Sequence, residues 1–238
     1  MAGRTGELPR LPRWVGPFGV FTFGFLILSQ AIAVLSSPPE AGMGDLQKIM
    51  YVHLPAAWNA MLAPAFVLIW SLLYLWKGEE KYDLLAAAAA EVSTVLIGLT
   101  LALGMIWAKP TWGVWWDWDP RLTSTAILFL IFVGYLALRA FTEDDERRGR
   151  WSAAVGILGA INVPIVYMSV RWWRTLHQPQ STPETVDAIY VLGMRLNAFA
   201  FLFIVIFFIA MRYHVARLER AEAMRSEERA LSEGAVHV

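Results

Sequence analysis

Residues 107–124 read WAKPTWGVWWDWDPRLTS, a short polar interruption between two long apolar runs. Five of the chain's twelve tryptophans fall between positions 107 and 118. Tryptophan gathers where membrane meets water, because its ring body is apolar and its N–H needs a partner. A belt of that kind needs one or two rings per helix end. Five in one stretch make a surface, and a surface of rings suits a flat, apolar ligand. The stretch is read as a water-facing loop between two membrane helices.

Outward from it, the apolar residues fall in runs of about 17–25, the length that crosses a bilayer as helix. The chain has 238 residues, is 57% hydrophobic, contains no cysteine and has a formal net charge of zero. Lack of cysteine excludes disulfides, cysteine-ligated iron–sulfur clusters and covalent haem attachment through C-x-x-C-H. No nucleic-acid partner is expected. The reading is an all-α integral membrane protein, a single membrane domain over 1–238 with six transmembrane helices. The spans are placed near 18–35, 55–76, 84–107, 120–141, 151–170 and 191–213, with the Trp-rich loop at 108–119 and a charged tail at 214–238. A secretory signal peptide is the rival reading of the first run, but its apolar core would be only about 7–15 residues. Pro55 is taken as the first-turn proline of the second helix and Pro64 as a kink within it. The tail has helix-forming composition and is expected to project from the membrane as a polar helix.

Six crossings put both termini on one side. The tails, the loops at 77–83 and 139–150, and Arg212 at the end of the last span hold fourteen of the twenty Lys and Arg residues, so that side is cytoplasmic by the positive-inside rule. The Trp-rich loop then faces the periplasm or its equivalent.

Of four histidines, His214 and His237 fall on the cytoplasmic side, where a solvated role is the plain reading. His53 precedes the second helix in YVHLP, and His177 follows a second aromatic cluster, Trp172 and Trp173, in RWWRTLHQ. Either one alone is explained by bonding to lipid headgroups or loop backbone. Together, two neutral imidazoles on one membrane face with rings between them offer the parts for holding haem iron from both sides. A zinc site would want three or four ligands, including Cys or acidic groups at regular spacing. Arg121, Arg171, Arg174 and Arg195 suit haem propionates, through paired hydrogen bonds, or lipid phosphates equally; Arg121 is the best placed. Asp119-Pro120 reads as a helix N-cap followed by proline at the first helical position. Were 112–118 helical, Trp112, Trp115 and Trp116 would share a face and Trp118 would turn toward lipid. Glu91 lies in the third span, where an ionisable group is costly and often functional. It is only about two turns (roughly 11 Å) from the cytoplasmic end, so a protonated or snorkelling structural role is equally open. Asn162 and Pro164 are read as bending and joining helices.

WGVWWDWDPRLTS resembles the W-G-x-W-W-x-W-D-x-R-L-T-S signature of the WWD haem-handling membrane proteins. YVHLPAAW and NVPIVYMSVRWWRTLHQ are similar to the two histidine-bearing segments of its small branch, the haem exporter protein C family of cytochrome c maturation. The likeness runs from about residue 14 to 213. The larger relatives, the haem lyase and synthetase subunits, carry histidines within membrane helices; no histidine is expected within a span here.

The resemblance implies a function: haem b (iron protoporphyrin IX) bound non-covalently at the periplasmic face and delivered to a periplasmic haem chaperone. His53 and His177 match the axial ligands of the iron. Trp112, Gly113, Trp115, Trp116, Trp118, Asp119 and Arg121 match the haem-platform loop, and Trp172 and Trp173 are counted with them. Implied partners are the ATPase and membrane subunits of an ABC transporter, a small single-span membrane subunit and the lipid bilayer. The implied location is the bacterial inner (cytoplasmic) membrane, and the implied role is an assembly factor rather than an enzyme. Rivals from the residues alone are a haem channel through the helices, an electron-transfer cytochrome, and a scaffold whose Trp loop docks a partner without haem. With both ligands expected in loops, release should be easier than from a buried cytochrome.

Overall fold

The computed structural model describes residues 8–178 and 186–236; Arg4 and His237 lie outside the described residues. The described residues form six helices: α1 Val15–Ser36, α2 Met50–Lys77, α3 Glu80–Trp112, α4 Pro120–Phe141, α5 Asp145–Trp172 and α6 Ala188–Val236. Each is long and apolar enough to cross a membrane. The protein is a multi-pass membrane protein, as its composition demands.

Helices α2 and α3 form the middle of the bundle, flanked by α4 with α5 on one side and α1 with α6 on the other. Small residues set the spacing. The run Ala86–Ala90 of α3 is buried, as are Ala56, Ala60 and Ala63 of α2. Without a hydrophobic force between helices in lipid, such residues let backbones approach and gain van der Waals contact. On α5, a Cβ at Gly156 would lie 2.8 Å from Val67 of α2, and one at Gly159 would lie 2.9 Å from the Phe132 ring of α4. Buried amides then join the helices. Asn197 bonds to Ser29 across α6 and α1, Asn59 reaches the Ala198 carbonyl, and Asn162 reaches the Ser124 carbonyl. The joining role read for Asn162 is the one it has.

Only α4 keeps its expected bounds. Hydropathy marks what lies inside the bilayer, whereas a helix continues until something stops it. The second helix begins at Met50, after a 3₁₀ turn at Asp45–Ile49, and not at Pro55. Proline lacks the N–H that would bond the carbonyl four residues back, at Tyr51. That carbonyl instead accepts a hydrogen bond from Gln30 Nε2 of α1, at 3.1 Å. His53 is therefore a first-turn helical residue, and the expectation that both candidate ligands lie in loops is corrected.

The third helix runs to Trp112 and stops where Gly113 takes φ 81°, its N–H bonding the Lys109 carbonyl at 3.0 Å. This is the left-handed cap that glycine adopts without cost. The Trp-rich loop shrinks to 113–119, and the shared helical face for Trp112, Trp115 and Trp116 does not form. At the other end α5 starts at Asp145 rather than 151, because Asp144 caps it by accepting from the Arg147 N–H at 2.7 Å. The last span and the charged tail are one continuous helix, α6, which carries His214.

At that end the charges are paired. Arg139 of α4 forks onto Asp83 of α3 at 2.6 and 2.8 Å. Arg212 of α6 forks onto Glu91 of α3. Arg220 is ion-paired with Glu80 at 2.7 Å and donates a hydrogen bond to Asp145 at 2.5 Å, tying the α6 extension to the starts of α3 and α5. Glu91 is thus ion-paired with α6, an arrangement other than the protonated or snorkelling carboxyl expected from the sequence.

Candidate functional site

A cavity of about 220 Å³ opens at the opposite end, between α2, α3, α4 and α5. A water needs only about 10–15 Å³ by this kind of measure, so the space suits an organic ligand. Its walls include His53 and Met61 of α2, Trp107 and Trp112 of α3, Arg121 of α4 and His177 from the loop after α5. On α3 the lining runs from Ile97 to Trp112, about 22 Å along the axis. Deep in the cavity, the hydroxyls of Thr100 and Thr125 bond carbonyls of their own helices, at 2.8 and 2.7 Å. The lower walls therefore present apolar surface.

His53 and His177 come from opposite ends of the sequence and share this one space. His53 Nδ1 is buried and has no hydrogen-bond partner among the described residues. Beneath the ring lies Gly104, where a Cβ would stand 3.4 Å from His53 Cε1. His177 Nδ1 lies 2.8 Å from the Gln178 carbonyl. A carbonyl can only accept, so Nδ1 carries the proton and Nε2 keeps a lone pair, the form a metal binds. The His177 ring meets Trp112 edge-on, with centroids 6.2 Å apart. Burial is the main influence holding the His177 imidazole below its ordinary value of 6.5. The Arg121 charge adds to this, and the Gln178 bond and Asp119 oppose it.

Arg121 Nη1 donates to the carbonyls of Val166 and Tyr167 at 3.2 and 3.3 Å, which fixes the guanidinium on the cavity wall. An anionic edge of a ligand would find a charge-assisted partner there. Asp119 caps α4 as its sequence context predicts, accepting from the Arg121 N–H at 2.8 Å. It also accepts from the Thr175 hydroxyl and, at 2.7 Å, from the Leu176 N–H. Burial pushes its carboxyl up, but the bonds from Thr175, Leu176, Arg121 and Leu122 outweigh this and hold it below 3.8.

Of the tryptophans nominated from sequence, Trp112 is on the cavity wall. Trp115, Trp118, Trp172 and Trp173 are exposed outside it, and Trp116 is half-buried against Trp118, with ring centroids 5.8 Å apart. Trp118 is 79% exposed while the next residue, Asp119, is 3% exposed, so the loop turns from surface to interior within one residue. Gly113 is exposed at the helix end. Trp58, which sequence reasoning missed, and Trp107, which it counted with the loop rings but did not nominate, line the cavity. Trp58 lies five residues after His53 in YVHLPAAW, so a helix starting before the histidine would have placed both rings on neighbouring turns.

The donor set fits haem better than a bare metal ion. Among the described residues no group of three or more His, Cys, Asp or Glu side chains is placed to hold a metal ion. Two imidazoles suffice for an iron whose other four positions are filled by a porphyrin.

Comparisons with known proteins agree with the motifs. The family model described as heme exporter protein C matches residues 8–228. The chain is 35% identical to heme exporter protein C of Bradyrhizobium diazoefficiens over 87% of this chain and 80% of that one. It is 34% identical to heme exporter protein C of Escherichia coli, over 70% and 68% of the two chains. It is 37% identical to a putative cytochrome c biosynthesis ccmC-like mitochondrial protein of Marchantia polymorpha, over 71% and 73%.

Proposed function

The chain belongs to the heme exporter protein C family, and on that premise we propose that it holds haem at its outer end and delivers it to a periplasmic haem chaperone. His53 and His177 ligate the iron through ring nitrogens. Trp112, Trp107 and Trp58 cover the part of the porphyrin inside the cavity. Trp115, Trp116, Trp118, Trp172 and Trp173 form a rim on which an exposed edge rests and a second protein can dock. Gly113 ends α3 so that this rim can turn outward. Arg121 pairs with a propionate. Haem here is cargo, so an open edge serves the function: a partner can meet it before it escapes into water. An ABC transporter's ATPase and membrane subunits and a small single-span subunit complete the assembly in the inner membrane.

One observation carries this reading: two histidines more than a hundred positions apart, one with an orphaned buried nitrogen, line a single apolar-walled cavity beside a fixed guanidinium. The walls below them are apolar and Glu91 is paired elsewhere, so a polar path for haem through the helices has no support here. Release then turns on His177, since His53 sits on a helix and only His177 is on a loop.

The test is the absorption spectrum of purified protein loaded with haem, wild type beside His53→Ala and His177→Ala. Each substitution should abolish the six-coordinate low-spin spectrum and chaperone loading, and added imidazole should restore the spectrum. Unchanged spectrum and loading in either variant would remove that residue as a ligand.

A further inference from the structure

His53 and His177 are held in different ways. His53 is part of α2, packed in the bundle, and its position is set by helix geometry. His177 lies five residues beyond the end of α5, in the irregular segment 173–178. Ordering such a segment costs about 1–2 kcal/mol per residue in backbone entropy, which some contact must offset. The bond from Nδ1 to the Gln178 carbonyl orients the ring but moves with the segment. Among the described residues two bonds carry the segment onto another element, and both end on Asp119 Oδ2: the Thr175 hydroxyl donates to it, and the Leu176 N–H donates at 2.7 Å. The Thr175 oxygen in turn accepts the backbone N–H of His177 itself, at 3.0 Å.

We propose that Thr175 is the positioning residue for His177: its hydroxyl hangs the histidine's backbone on the buried carboxylate of Asp119. The clasp rests on the haem-ligating reading above for its purpose, though not for its geometry. One carboxylate then sets two groups of the site. Through Oδ1 it caps α4 at Arg121, and through Oδ2 and Thr175 it fixes His177. Asp119 also terminates the exposed tryptophan loop, so whatever displaces that loop loosens His177 while His53 stays in place. His177 is the ligand built to be released. Valine at 175 keeps the shape of threonine and removes both the donor and the acceptor, whereas serine keeps both.

The proposal is tested on full-length protein in nanodiscs with Thr175→Val, Thr175→Ser and His177→Ala. In haem-free protein, hydrogen exchange at the amides of 176 and 177 should be about tenfold faster in Thr175→Val, as expected for one lost charge-assisted hydrogen bond, and near wild type in Thr175→Ser. In haem-loaded protein, Thr175→Val should gain a five-coordinate high-spin fraction that added imidazole removes. It should also lose haem to apomyoglobin about tenfold faster. Wild-type exchange and spin state in Thr175→Val would overturn the proposal, as would Thr175→Ser behaving like valine. If Thr175→Val does not accumulate, Thr175→Ala is measured in its place. Failure of both beside a sound serine variant would make the hydroxyl a folding requirement and overturn the positioning role. If His177→Ala keeps the wild-type haem spectrum, the ligand assignment fails, while the exchange result still decides the clasp.

Discussion

At the end of the bundle where α3 begins, Asp83, Glu91, Glu80 and Asp145 each face an arginine, and two helices, α4 and α6, are pinned to α3 or α5 by them. At the end where α3 stops, a buried imidazole nitrogen has no partner among the described residues, an arginine donates to two backbone carbonyls, and large rings are exposed. Charges that only hold helices together are paired within the chain. The groups proposed to receive haem keep capacity unspent, and the fold bears the cost of leaving them so, as it also does at His214 Nδ1 near the other end. The contrast separates a structural end from a working end, and it can be broken by experiment.

The largest effect on stability should come from Arg139→Ala. Its partner Asp83 is buried, and stripping one member of a buried pair costs about 3–5 kcal/mol. A thermal melt in nanodiscs should show the loss, with the haem spectrum of the surviving folded protein unchanged. A variant that melts normally yet fails to take up haem would erase the distinction between the ends.

Acidification should act on the other end. The His177 value lies below 6.5, so its imidazole stays neutral in the folded protein where a free one would be protonated. Haem absorbance should hold as pH falls from about 7 through 6.5 and decline only below that. In haem-free protein the unfolded chain takes up the proton first, so stability falls from 6.5 downward through the folded value. The Asp119 contribution, from a lowered carboxyl, persists until pH drops below 3.8. Loss of haem absorbance above 6.5 would contradict this account.

The smallest change is expected from Arg220→Ala. Its pairs are more than a third exposed, and such bridges contribute at most about 1 kcal/mol. Hydrogen exchange should rise in the α6 extension beyond residue 214 and nowhere near the cavity. A shift in haem affinity would show the two ends to be coupled.

Much of this was legible in the chain before it folded. The six spans follow from apolar length, and their orientation from fourteen basic residues on one side. Both are sums over local composition. The Asp119-Pro120 cap was readable for the same reason, since a cap depends on three or four neighbouring residues. Helix ends were not, because hydropathy reports where lipid lies and says nothing of how far a backbone continues past it. Pro55 misled for a further reason: the carbonyl it orphans is satisfied by Gln30, a residue of another helix.

Which rings face inward was undecidable from WGVWWDWD, and so was the meeting of Asp119 with Thr175, 56 positions away. Composition and spacing determined that this is a six-span membrane protein with two histidines and many tryptophans on one face. Only the packing of α2 against α3 and α5 brought those histidines into one cavity, sorted Trp58, Trp107 and Trp112 inside from Trp115 and Trp118 outside, and hung His177 on Asp119. Rotation of a helix about its axis is chosen by the neighbours it touches, and no single stretch of sequence contains them.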